Sequence, residues 1–104
     1  MSDTWAGASA VLIVSFKGRT TEAVFHGRCP KGFPADIFAV ARRKLAMVDA
    51  AVSLDSLKVP PANYLERLKK DRQGQHSIRV NDKWRVCFRW TAKGPADVEI
   101  VDYH

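Results

Sequence analysis

Hydrophobic positions change their period along this chain. Val11–Phe16 (VLIVSF) is an almost unbroken apolar, β-branched run and predicts a buried strand that ends at Lys17-Gly18-Arg19. Thr20 or Thr21 is a candidate cap for a short helix over Glu22–His26, stopped at Gly27. Arg28–Pro34, with two prolines and Gly32, reads as a loop. The period then becomes helical: Ile37, Phe38, Ala41, Leu45 and Val48 fall on one side, with Asp36 near the positive end of the helix. Arg42, Arg43 and Lys44 fall mostly on the other side and predict a solvated face. Between Ala50 and Leu68 no period holds. Leu54 and Leu57 suit a short turn, and Pro60-Pro61 forbids a regular helix. Asn63–Leu68 carries apolar anchors, and Lys69–Gln75 is a polar, mostly basic connector.

The final third has a period of two. Ser77–Val80 and Trp84–Trp90 read as strands joined at an Asn81-Asp82 tip. Trp84, Val86, Phe88 and Trp90 alternate with Arg85, Cys87 and Arg89, so the sheet should have one apolar and one arginine-bearing face. Thr91–Ala96, containing Gly94-Pro95, turns the chain into a last strand, Val98–Tyr103. The polar Met1–Ala10 is expected to be a flexible tail, and residues 11–104 a single domain. The fold class is α+β: an antiparallel β-sheet with two N-terminal helices packed on one face.

Composition narrows the function. No run of about 18 apolar residues exists to span a membrane, and the opening lacks the basic start of a signal peptide. Cys29 and Cys87 lie in unlike contexts, which suits reduced thiols in the cytoplasm. With no CxxC spacing and three scattered histidines, neither a metal site nor a cofactor is expected. Seventeen Lys and Arg against eleven Asp and Glu give a net charge of +6 and a pI near 9.7. Such a balance points to a polyanionic partner, RNA or DNA.

Arg79, Arg85 and Arg89 all lie in the hairpin. Arg85 and Arg89 should project from one face about 7 Å apart, able to grip a phosphate backbone. An ordinary solvated face with ion pairs to Asp97 or Glu99 would give the same alternation. Trp84 and Trp90 share parity with Val86 and Phe88, so they are expected in the core. Asp102, Tyr103 and His104 then put a carboxylate, a phenol and an imidazole in succession. RNA cleavage without a metal needs a base for the 2′-hydroxyl, a cation for the phosphorane and an acid for the departing 5′-oxygen. Candidates for each are present, although a histidine in such a position is also compatible with a frayed end.

The stretch Gly74–Phe88 (GQHSIRVNDKWRVCF) and the Asp102-Tyr103-His104 ending together resemble the HigB branch of the RelE superfamily of toxins. Val14–Phe16 and Arg43–Ala50 are similar to its first strand and long helix, so the likeness runs from about Ile13 to His104. The resemblance implies a compact RelE-like domain that cleaves messenger RNA in the ribosomal A site. It also implies a HigA-like antitoxin with a helix-turn-helix DNA-binding domain as partner. It assigns catalytic work to Asp102, Tyr103, His104, Arg85 and Lys69. Where better-known members carry a histidine ahead of the connector, this chain has Glu66, itself a possible general base. Arg79, Arg89, Arg72 and Lys70 are the candidates for binding RNA phosphates. His76 is a further candidate acid or base, better suited to a structural role. A gyrase-inhibiting ParE-like toxin and a non-catalytic basic RNA-binding module are the alternatives, and the Asp102–His104 ending argues against the first.

Overall fold

The computed structural model describes residues 12–102. The proposed tail Met1–Ala10, Val11 and the catalytic candidates Tyr103 and His104 lie outside them. Two helices, α1 (Arg19–Phe25) and α2 (Phe38–Ala50), precede four strands: β1 (Glu66–Arg67), β2 (His76–Arg79), β3 (Trp84–Thr91) and β4 (Gly94–Asp102). The strands form one antiparallel sheet in the order β1-β2-β3-β4. Val24, Ala41, Leu45 and Val48 from the helices close on Ile78, Val86, Phe88 and Val98 from the sheet. The alternation in Trp84–Trp90 is realised from Val86 onward, with Val86 and Phe88 in the core and Trp90 packed against it, whereas Trp84 lies outside that cluster, beside Phe33.

Several local expectations are corrected. The run ending at Phe16 is not a buried strand: Leu12 and Val14 are 61% and 49% exposed, and among the described residues its one β-bridge is Phe16 to Val98, parallel. It follows β4 through Val14 N–H to the Pro95 carbonyl and Lys17 N–H to the Val98 carbonyl. Regular pairing fails because β4 bulges there: the register slips between Cys87 and Arg89, and Asp97 has φ of 52°. The first helix starts earlier than expected. Thr21 lies within it, buried, and its hydroxyl accepts the Ile100 N–H from β4. Gly94-Pro95 does not turn the chain but opens β4, and Thr91 pairs with Gly94 around a two-residue turn.

Lys44 leaves the solvated face it was expected to share with Arg42 and Arg43. It is buried and donates a 2.5 Å hydrogen bond to Asn63 Oδ1. Burial, and then the neighbouring Arg43 charge, hold its ammonium below the ordinary lysine value. Asn63 Nδ2 in turn donates to the carbonyls of Leu57 (3.1 Å) and Val59 (3.4 Å). One buried side chain thus ties two short 3-10 turns, Leu54–Lys58 and Pro61–Asn63, to α2. The chain leaves this clamp at Tyr64 and enters β1 two residues later.

Candidate active site

The arginine-bearing side of the sheet is not an open plain. Leu68, Ser77 and Cys87 are buried without joining the main core cluster. Register accounts for this: Glu66 pairs with Ser77, Ser77 with Cys87, and Cys87 with Glu99, one row across all four strands. Arg72, in the 3-10 turn Lys70–Arg72, lies 3.6 Å from Glu99 and also donates to Gln75. Burial, opposed by Arg72, pushes the Cys87 thiol up to about 11. That thiol is a packed, inert group.

Arg85 is the centre of the site. Its side chain is only 16% exposed. Nη1 donates 2.8 Å to Ser77 Oγ and 3.4 Å to the Tyr64 carbonyl, and lies 3.5 Å from Glu66 Oε1. Arg85, Glu66, Arg79, Tyr64 and Leu65 line a cleft of about 380 Å³. A second cleft of similar size adjoins it, lined by Glu66, Arg67, Leu68, Lys69, Lys70 and Asp71. Glu66 belongs to both. Among the sequence candidates, then, Glu66 and Arg85 are brought into contact, and Lys69 with Lys70 stand in the neighbouring cleft.

The other three candidate arginines are engaged with carboxylates. Arg79 pairs with Asp82 across the hairpin turn, and Arg89 lies 3.5 Å from Asp97. With Arg72 on Glu99, this is the ion-paired face that the alternation equally allowed. Arg85 and Arg89 are also not neighbours, since four residues of strand, roughly 13 Å, separate them. Arg89 instead lies against Gly74, where a Cβ would come within 2.8 Å of its guanidinium.

Asp102 falls on an unexpected side. It is the register partner of Trp84, whereas Val101 is the partner of Arg85. The bulge at Asp97 causes this, because without that extra residue Ile100 and Asp102 would share the Arg85 face. His76 stacks on Phe88, with ring centroids 6.4 Å apart, and its buried Nδ1 has no hydrogen-bond partner among the described residues. Burial, then the Arg67 charge, hold its imidazole below the ordinary value. It sits on the core side and not in the cleft.

Two residues that shape the site were missed from sequence. Ser77, fully buried, holds Arg85; Tyr64, 61% exposed, carries the Arg79 guanidinium over its ring at 5.7 Å from the centroid. Tyr64 stood in a run read as apolar anchors. The available signal was a phenol beside Glu66 with no helical or strand period to bury it.

Comparison with known proteins bears on this geometry. The family model described as "RelE-like toxin of type II toxin-antitoxin system HigB" matches residues 15–104. The chain is similar to Toxin HigB-1 of Vibrio cholerae, 40% identical over 57 residues, which are 55% of this chain and 60% of that protein. It is also similar to an uncharacterized protein of Haemophilus influenzae, 34% identical over 65 residues, covering 62% and 64% of the two chains. These two matches span less than two thirds of the relatives' length. A third likeness, to Endoribonuclease HigB of Proteus vulgaris, is 29% identical over 93 residues, covering 89% of this chain and 100% of that one.

Proposed function

The chain belongs to the RelE-like HigB toxins of type II toxin-antitoxin systems, and from that premise we propose that it is an endoribonuclease that cuts messenger RNA on the ribosome. The relative from Proteus vulgaris bears the name Endoribonuclease HigB. One juxtaposition in this chain carries the reading: the Glu66 carboxylate 3.5 Å from the Arg85 guanidinium at the wall of a cleft. In RNA the attacking 2′-oxygen and the scissile phosphorus are adjacent, so the groups serving them must be adjacent too.

In this mechanism Glu66 removes the 2′-hydroxyl proton. The 2′-oxygen bonds to phosphorus, the bond to the 5′-oxygen breaks, and a 2′,3′-cyclic phosphate remains. Arg85, aimed by Ser77, neutralises the charge that grows on the phosphorane oxygens. His104 supplies the proton to the departing 5′-oxygen, and Tyr103 positions the reacting strand. Asp102 closes β4 next to Val101, the partner of Arg85, and so anchors the segment that carries both. Lys69 and Lys70, in the adjoining cleft, attract the phosphates that follow. With base, cation and acid all supplied by the chain, the reaction requires no metal.

The ribosome supplies the bent substrate, which places the toxin in the cytoplasm, and a HigA-like antitoxin with a helix-turn-helix domain restrains it. Purified ribosomes loaded with a defined message test the reading. The wild-type protein should generate cut message with 2′,3′-cyclic phosphate ends, and Arg85→Ala should not. Uncut message with active ribosomes would remove it.

A further inference from the structure

The cleft contains one aromatic group that the proposed chemistry leaves idle. Tyr64 shares the cleft wall with Glu66 and Arg85, and its own carbonyl accepts a hydrogen bond from Arg85. Its ring is therefore tied to the group that would hold the scissile phosphate. Arg79 lies over one side of the ring. A ring covered on one face and still 61% exposed presents its other face to solvent.

The backbone reinforces the point. Tyr64 adopts a left-handed conformation, φ 46° and ψ 58°, unfavourable for a bulky side chain. The preceding Asn63 clamp holds it there, through Lys44 and the Leu57 and Val59 carbonyls. A strained, exposed aromatic held by a buried clamp is costly to keep unless the exposed ring is used. Arg79 fits the same role. Its pairing with Asp82 compensates its charge, which weakens it as a phosphate ligand. The guanidinium that pairs with Asp82 is the one that lies over the tyrosine ring.

We propose that Tyr64, braced by Arg79, is a stacking platform for a nucleobase of the RNA strand beside the phosphate held by Arg85, and that it sets the base preference of cutting. The chemistry is that of single-strand recognition, in which an unpaired base lies on an aromatic face while cations track the backbone. The inference rests on the nuclease reading for its consequence in cleavage, but not for the stacking itself.

Two readouts keep these apart. A 2′-O-methyl hexanucleotide carrying 2-aminopurine cannot be cut, and its fluorescence falls when the base stacks. Full-length wild-type protein should quench it. Tyr64→Asn removes the ring while suiting the left-handed backbone, and should weaken quenching binding about tenfold. Tyr64→Phe should restore it, Arg79→Gln should fall between, and Arg85→Ala should keep the quench with weaker binding. On ribosomes, Tyr64→Asn should raise the half-saturating message concentration and redistribute the cut positions. Absent quenching by the wild type, or equal quenching by Tyr64→Asn, overturns the platform. Quenching without any wild-type cleavage sinks the nuclease reading and leaves the platform standing.

Discussion

Arg85 Nη1 and Ser77 Oγ are 2.8 Å apart across β2 and β3, and Ser77 is fully buried while the guanidinium faces the cleft. The serine has no reach to a substrate; its hydroxyl fixes where Arg85 points. Ser77→Ala is expected to slow cleavage roughly tenfold, the worth of one hydrogen bond to a charged group. The loss should appear in the single-turnover rate rather than in message affinity, with melting little changed. An equal loss on replacing Ser77 by Thr, which keeps the hydroxyl, would mean that packing and not aim is at issue.

Asn63 is the structural counterpart of that serine. Asn63→Ala strips the buried Lys44 ammonium of its partner and frees the Leu57 and Val59 carbonyls. Leaving a buried charge unpaired is strongly destabilising, so a loss of about 3 kcal/mol is expected in denaturant unfolding. Lys44→Met should cost clearly less, because it removes the charge along with the bond. Equal costs would show that the amide alone carries the clamp.

Acid should weaken the fold through His76. Its pKa is held below the ordinary value by burial and by Arg67, so the folded protein favours the neutral ring. The associated stability is complete above the unfolded value of about 6.5 and is lost as pH falls through the lower folded value. Melting temperatures of the wild type and of His76→Phe, taken at about pH 7.5 and about pH 5.5, measure this. The wild type should lose more on acidification than the variant. Parallel losses would assign the acid sensitivity to other groups.

The hairpin, the long helix and the side taken by the core were legible because each rests on a local period. The sites that escaped depend on distant partners. Lys44 looked solvated on its helix because Asn63, nineteen positions on, is silent about it. Asp102 was expected beside the arginines because a bulge at Asp97 leaves no period to read, yet that one residue reverses the faces of Ile100 and Asp102. The apolar run before Phe16 lost its regular pairing to the same bulge. Glu66 emerged from a family resemblance and not from spacing, since its contact with Arg85 joins an edge strand of two residues to the centre of the sheet.

Glu66→Gln is the most direct trial of the mechanism, because it preserves the shape of the side chain and removes its capacity to take a proton. The measurement is the single-turnover cleavage rate of ribosome-bound message, with antitoxin binding and melting as controls of the fold. A fall of a hundredfold or more is expected, the usual worth of a general base, with both controls unchanged. Cleavage by Glu66→Gln at the wild-type rate would contradict it.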